Sequence, residues 1–168
     1  MSQLFFNEIE AAKIAQNMER SGLAFFRKAA EKASHPKVKA LFEQLADDEV
    51  RHIEWLEELE AQLQAHRRGG PGYADDTEIA AYIDRLLQTQ VFSDEGAVGR
   101  LSDQAGDASA ALAVGMRAER DSILFYHEML DFVDSKIAKE AFEKILAEER
   151  DHLRILGDRS QECSAYAP

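Results

Sequence analysis

The sequence is poor in the residues that build disulfide frameworks and cysteine metal sites. It has one cysteine, three prolines and nine glycines in 168 residues. Because Cys163 is the only cysteine, neither an intrachain disulfide nor a four-cysteine zinc or iron site can form within this chain. We therefore expect a reducing, cytoplasmic location.

Long apolar runs and positive charge are also scarce. No stretch of about 18 apolar residues occurs, so we expect no membrane span. Residues 1–15 lack a basic segment followed by an apolar core, so we expect no secretion signal. The 20 Lys and Arg residues stand against 32 Asp and Glu, which gives a net charge of -12. Such a chain repels phosphate backbones and anionic lipids, and we expect neither nucleic acid nor membrane as a partner.

What remains is a composition typical of helical proteins. Apolar residues make up 45% of the chain and charged residues 31%, which predicts one globular, all-α domain over residues 1–168. Apolar positions recur every three and four residues, as in amphipathic helices. Ser2 is the expected N-cap of the first helix, Pro36 starts the second, and RRGGPG ends it.

These helices predict a four-helix bundle made of two hairpins. The expected segments are hairpin one at 2–66, a long crossover at 67–106 with a short helix at about 77–90, hairpin two at 107–157 with helices at about 107–132 and 135–156, and a tail at 158–168, of which QECSAYAP at 161–168 is expected to be mobile. A crossover of this length can span the bundle or exchange hairpins between two chains, so we expect a homodimer.

The two hairpins are alike in sequence at an offset of 100 residues, which indicates an internal repeat. Ten pairs are identical: 11 and 111, 19 and 119, 20 and 120, 25 and 125, 39 and 139, 42 and 142, 43 and 143, 49 and 149, 52 and 152, and 56 and 156.

The repeat contains a Glu-x-x-His motif in each half. In a helix the two residues of such a motif lie about 60° apart, so Glu49 shares a face with His52, and Glu149 shares one with His152. The matched Glu19 and Glu119 also lie among small or apolar neighbours, whereas Glu43 and Glu143 fall about 120° away from the motif and are expected to face water.

Four helices would then direct four carboxylates and two imidazoles inward. Unpaired buried carboxylates cost several kcal/mol each, so a positive partner is expected. Two divalent cations supply a charge of +4, which balances the four acids. Oxygen-rich ligation with two imidazoles suits Fe or Mn, and Zn can bind as well.

Glu plus Glu-x-x-His from each half is the ligand pattern of di-iron and di-manganese carboxylate bundles. The sequence resembles rubrerythrin-like proteins of the ferritin-like superfamily, through MERSGLAFFRKAAE at 18–31, DDEVRH at 47–52, AERDSILFYHEML at 118–130 and EERDH at 148–152. The resemblance implies a ferritin-like fold with two Fe ions as cofactor. It implies that the metal ligands are Glu19, Glu49, His52, Glu119, Glu149 and His152, with Glu49 and Glu149 bridging or binding the metals.

The chain departs from typical rubrerythrins in two places. They carry a further Glu three residues after the third-helix ligand, where this chain has Ser122, and they end in a rubredoxin-like four-cysteine iron site. The resemblance is therefore greatest to short, rubredoxin-free members. Tyr126, seven residues after Glu119, is expected either to pack in the core or to donate a hydrogen bond near the metals.

Three functions are consistent with this pattern. The first is a non-haem di-iron oxidoreductase that reduces H₂O₂ or O₂ with electrons from a donor still to be identified. The second is a ferroxidase that takes up ferrous iron for storage or detoxification. The third is a structural helical adaptor in which the Glu and His residues are incidental.

Overall fold

The computed structural model describes residues 7–66, 77–93, 96–103 and 107–165, and all structural statements refer to these residues. They contain six helices and no strand. The helices are α1 (Glu8–Lys32), α2 (Pro36–His66), α3 (Thr77–Gln88), α4 (Ala97–Asp103), α5 (Ala108–Phe132) and α6 (Lys136–Ala165). The predicted bundle of two hairpins is confirmed, since α1 packs along α2, and α5 packs along α6.

Side-chain caps explain where the helices of the bundle begin. The Asn7 side chain accepts hydrogen bonds from the backbone N–H groups of Ile9 and Glu10 at 2.9 and 3.0 Å, so Asn7 is the N-cap of α1, which begins at Glu8. Ser2 itself lies outside the described residues. Asp107 caps α5 in the same way, and α2 begins at Pro36 as predicted.

The crossover and the last helix differ from the prediction. Residues 97–103 form a short helix, α4, that the spacing of glycines did not predict. Helix α3 ends at Gln88, two residues before the predicted end. Helix α6 runs through Gly157 to Ala165, nine residues beyond the predicted end of the fourth helix at about 156. The predicted Gly/Pro break at 67–76 lies outside the described residues.

The core consists of two apolar clusters separated by a polar layer. Along each bundle helix, buried apolar residues give way midway to buried polar ones and then resume. The first cluster contains Phe25, Phe26, Val38, Phe42, Leu45, Leu112 and Leu156, and the second contains Ala15, Leu56, Phe125, Tyr126, Met129, Phe142 and Ile145. The fold therefore places a layer of acidic residues between two hydrocarbon layers.

Among the described residues, no helix combines the length and the apolar character that are needed to span a lipid bilayer.

Candidate metal centre

The polar layer contains all six of the predicted ligand residues. Helix α1 supplies Glu19, α2 supplies Glu49 and His52, α5 supplies Glu119, and α6 supplies Glu149 and His152. Each of the six is buried and exposes 3% or less of its surface. The structure therefore brings the six residues together in the interior, as the spacing of the motifs predicts.

Their side chains form two overlapping groups of four. The first group is Glu19, Glu49, His52 and Glu149, and the second is Glu49, Glu119, Glu149 and His152. Within each group, one ligand atom per residue lies within 4.8 Å of every other. Glu49 and Glu149 belong to both groups.

Several of these buried atoms lack a hydrogen-bond partner among the described residues. They are Glu49 Oε2, Glu119 Oε1, both carboxylate oxygens of Glu149, and His152 Nδ1. Buried polar atoms in native proteins are nearly always paired, because desolvation without a partner is costly. Unpaired acceptors that converge from four helices fit cations, and the donor set of oxygens and imidazole nitrogens fits Fe, Mn or Zn.

Each histidine points one ring nitrogen into this layer and the other away from it. His52 Nδ1 lies 3.0 Å from Glu149 Oε1 and 3.4 Å from Glu19 Oε2. His152 Nδ1 lies 3.4 Å from Glu149 Oε2 and 3.6 Å from Glu119 Oε1. The two rings stack with their centroids 5.6 Å apart. The Nδ1 atoms are therefore the nitrogens available to a metal.

The comparisons with known proteins agree with this geometry. A sequence model of the rubrerythrin family matches residues 10–158, which include all six residues of the layer. The chain belongs to the rubrerythrin family. No curated protein is significantly similar to it in sequence.

Two solved structures share the fold of this rubrerythrin. A two-domain protein from Anabaena variabilis, with DJ-1/ThiJ/PfpI-like and ferritin-like domains, superposes with a TM-score of 0.65 at 18% identity, over 92% of this chain and 39% of that one. A DUF305 fragment from Deinococcus radiodurans superposes with a TM-score of 0.67 at 16% identity, over 92% of this chain and 95% of that one. At these identities the likeness concerns the fold alone, and it confirms the ferritin-like architecture.

Two acidic residues behind the histidines were not predicted from the sequence. His52 Nε2 lies 3.2 Å from Glu148 Oε2, and His152 Nε2 lies 3.1 Å from Asp48 Oδ2. Each histidine of this rubrerythrin is thus held from behind by an acid of the opposite hairpin. Arg51 joins the two acids, at 2.5 Å from Asp48 and 3.2 Å from Glu148. The available signal was that both acids directly precede a motif Glu, at matched positions of the repeat.

Tyr126 supports the layer from the second apolar cluster. It is fully buried, and its hydroxyl donates a hydrogen bond to Glu19 Oε1. Burial, together with the nearby charge of Glu19, raises the pKa of Tyr126 well above its ordinary value, so the hydroxyl keeps its proton. Glu43 and Glu143 lie outside the layer and are exposed, as predicted, and Glu43 is 3.9 Å from Lys39.

The layer perturbs the pKa values of its own acids in opposite directions. Burial, and then the charge of Glu19, raise the pKa of Glu49 well above its ordinary value. Burial and the charge of Glu149 do the same to the pKa of Glu119. Burial alone would also raise the pKa of Glu149, but short contacts from Glu119, His152 and His52 outweigh it and lower that pKa. The layer therefore holds two carboxyl groups that favour the protonated form beside one that favours the ionised form.

The neighbouring carboxylates favour the protonated, charged form of both imidazoles. Burial alone would lower the pKa of His52, but the contacts with Glu149, Glu19 and Glu49 outweigh it and raise that pKa well above 6.5. His152 shifts in the same direction, because contact with Glu149 outweighs its burial. A metal needs the neutral imidazole and the ionised carboxylate, so protons and cations compete for the same atoms.

Proposed function

We propose that this rubrerythrin holds two divalent cations in its polar layer, with iron as the preferred metal, and uses them to reduce H₂O₂ or O₂. The observation that carries the proposal is the set of unpaired, buried carboxylate and imidazole atoms converging from four helices. Four ionised carboxylates and two neutral imidazoles balance two divalent ions in charge. Apolar clusters lie on both sides of these atoms.

The six residues would bind the two ions as three pairs. Glu19 with His52 would hold one ion, and Glu119 with His152 would hold the other, because each pair occurs in only one of the two groups. Glu49 and Glu149 would bridge them. When bound, the ions supply two electrons and stabilise developing negative charge on the oxidant. Reduction of H₂O₂ to two molecules of water also needs two protons, and an external donor must return the two electrons.

The surrounding residues fix this arrangement. Asp48 and Glu148 hold the outer nitrogens of the histidines, which presents Nδ1 to the ions. The Tyr126 hydroxyl orients the Glu19 carboxylate. The two apolar clusters cover the layer above and below, and the low polarity of these clusters strengthens the electrostatic interactions within it.

Anaerobic iron loading followed by mixing with H₂O₂ or O₂ tests the proposal. We expect two Fe(II) ions per chain and a rapid absorbance change with at least one oxidant. Glu149→Gln should abolish stoichiometric binding, because Glu149 belongs to both groups, whereas Glu143→Gln makes the same change at an exposed site of the same helix and should bind iron normally. A loaded protein whose absorbance responds to neither oxidant would contradict the redox function.

A further inference from the structure

A cavity of about 200 Å³ reaches the polar layer from one side of the bundle. Glu19, Glu49 and Glu119 form its inner end, and Val91 and Phe92, which follow α3, form part of its outer wall. The cavity therefore touches the carboxylate side of the proposed centre. The histidines are held from the other direction, since their outer nitrogens contact the acids at 48 and 148.

The cavity is larger than either oxidant requires. A water molecule occupies about 30 Å³ in the liquid, and H₂O₂ or O₂ needs roughly twice that. An apolar cavity of about 150 Å³ is enough to bind benzene. The volume of about 200 Å³ therefore suits an organic molecule of about one ring placed directly against the acids of the centre.

Small residues keep the inner end of the cavity open. Gly22 and Ser122 follow Glu19 and Glu119 by three residues, and both line the cavity. A Cβ atom at position 22 would lie 3.2 Å from Glu49 Oε1, so a larger residue there would press on a proposed ligand.

The segment after α3 is fixed over the cavity by contacts to both neighbouring helices. The backbone N–H of Val91 donates to Asp121 Oδ2 of α5 at 2.6 Å. The side-chain amide of Gln90 donates to Met18 Sδ of α1 at 3.4 Å. The outer wall is thus part of the folded structure, and the cavity is preformed.

The lining selects the charge of the occupant. Ile14, Met18, Phe26 and Leu87 contribute apolar walls. The acids in the lining are three proposed ligands, Glu19, Glu49 and Glu119, and Asp121, whose carboxylate accepts a hydrogen bond from the Val91 N–H. With two divalent ions bound, the charges of the proposed ligands would be balanced, and the apolar walls, which cannot replace the hydration of an ion, would then favour a neutral molecule over a charged one. A net charge of -12 adds a further penalty for anions.

We propose that this cavity binds a neutral, mainly apolar organic molecule of about one ring, and that the centre hydroxylates it with H₂O₂. The inference rests on the proposed function, which supplies the metal and the oxidant. The reaction is R–H + H₂O₂ → R–OH + H₂O. The C–H and O–O bonds break, C–O and O–H bonds form, carbon loses two electrons and the peroxide oxygens gain them. No external electron donor is needed.

Toluene binding to the metal-free protein tests the cavity independently of the metal. With methionine methyl groups labelled by ¹³C, the Met18 signal should shift and saturate, because Met18 lines the cavity, whereas that of Met129, in the second apolar cluster, should not. Ser122→Phe fills the cavity and should weaken toluene binding by at least about tenfold. Leu124→Phe, at a 45% exposed position two residues further along α5, is the matched control and should bind toluene normally.

A second variant tests whether weaker toluene binding results from a filled cavity or from misfolding. Val91→Phe also fills the cavity but lies outside the four bundle helices, so it should weaken toluene binding while the chain still takes up two Fe(II) ions. The proposal would be overturned if toluene saturated the Met18 signal equally well in the unmodified protein and in both variants that fill the cavity. It would also be overturned if toluene did not saturate the Met18 signal of the unmodified protein.

The hydroxylation step is tested on the iron-loaded protein with toluene and H₂O₂, by mass detection of cresol or benzyl alcohol. We expect product from the unmodified protein and from Leu124→Phe, and none from Ser122→Phe. Toluene that binds but is never hydroxylated, in a protein that still consumes peroxide, would overturn this inference and leave the proposed function standing. Toluene binding without iron uptake would instead contradict the proposed function.

Discussion

The acids behind the histidines offer the sharpest test of the proposed centre. Asp48→Ala removes the carboxylate that lies 3.1 Å from His152 Nε2, and Glu148→Ala removes the one that lies 3.2 Å from His52 Nε2. Neither acid belongs to the groups of proposed ligands. Each substitution should therefore release the orientation of one imidazole without deleting a ligand.

The structure predicts that the two substitutions reduce metal affinity by different amounts. Loss of a group that orients a metal-binding histidine costs about 10- to 100-fold in metal affinity, and each tenfold step corresponds to about 1.4 kcal/mol. The Asp48 side chain is 10% exposed, whereas that of Glu148 is 31% exposed. Water can replace Glu148 more readily, so we expect about 100-fold for Asp48→Ala and about tenfold for Glu148→Ala.

Competition with a coloured chelator measures these affinities directly, with Zn(II) as a redox-inactive probe. Asp47→Ala is the control, because it makes the same change at the exposed neighbouring residue of α2 and should bind metal like the unmodified protein. An affinity for Asp48→Ala within about twofold of the unmodified protein would refute the orienting role, given the 10- to 100-fold range for such groups. A loss of the same size in Asp47→Ala would refute it as well.

Three further predictions concern the layer itself. Glu49 and Glu119 have raised pKa values in the folded state, so their contribution to stability is fully present below the ordinary carboxyl pKa of 4.5 and is lost as the pH rises. The raised pKa of His52 contributes in the same way, fully below pH 6.5 and less as the pH rises. The melting temperature of the metal-free protein, followed by circular dichroism, should therefore fall between about pH 5 and pH 8, while that of the metal-loaded protein should not. Gly22→Ala would place a Cβ atom 3.2 Å from Glu49 Oε1 and should weaken metal binding in the chelator assay while leaving helix content unchanged. The sole tryptophan, Trp55, has its ring centroid 5.6 Å from that of His52, so its fluorescence should be quenched as Fe(II) binds, and an unchanged signal at full loading would argue against an ion at His52.

The sequence predicts the bundle well because its signals are local. Pro36 at the first turn of α2 and Asp107 before α5 each determine a helix start through their own backbone or side chain. The six residues of the polar layer were identified because helical periodicity determines which side chains share a face, and the repeat supplied a second copy of the same pattern.

The errors arise where distant parts of the chain decide the structure. Helix α4 contains Gly99 and follows Gly96, so its local preference is weak, but Lys32 Nζ of α1 donates to the Ser102 carbonyl at 2.8 Å and contacts Asp103 at 3.0 Å. Beyond Gly157, Cys163 packs against the first apolar cluster, which explains why α6 continues where the sequence predicts an end. Such tertiary contacts have no signature in a local window of sequence.

The roles of Asp48 and Glu148 were not predicted from the sequence, because they depend on how the two hairpins pack together. A residue directly before a motif Glu lies only about 40° around the helix axis from the histidine four residues later, so it borders the ligand face, but which side chain it contacts depends on how the two hairpins pack against each other. Each acid orients the histidine of the other hairpin. Neither hairpin alone contains both a complete group of four ligands and the acid that positions its histidine. Metal binding should therefore require that the two hairpins are docked, and the bound ions should in turn stabilise that docking.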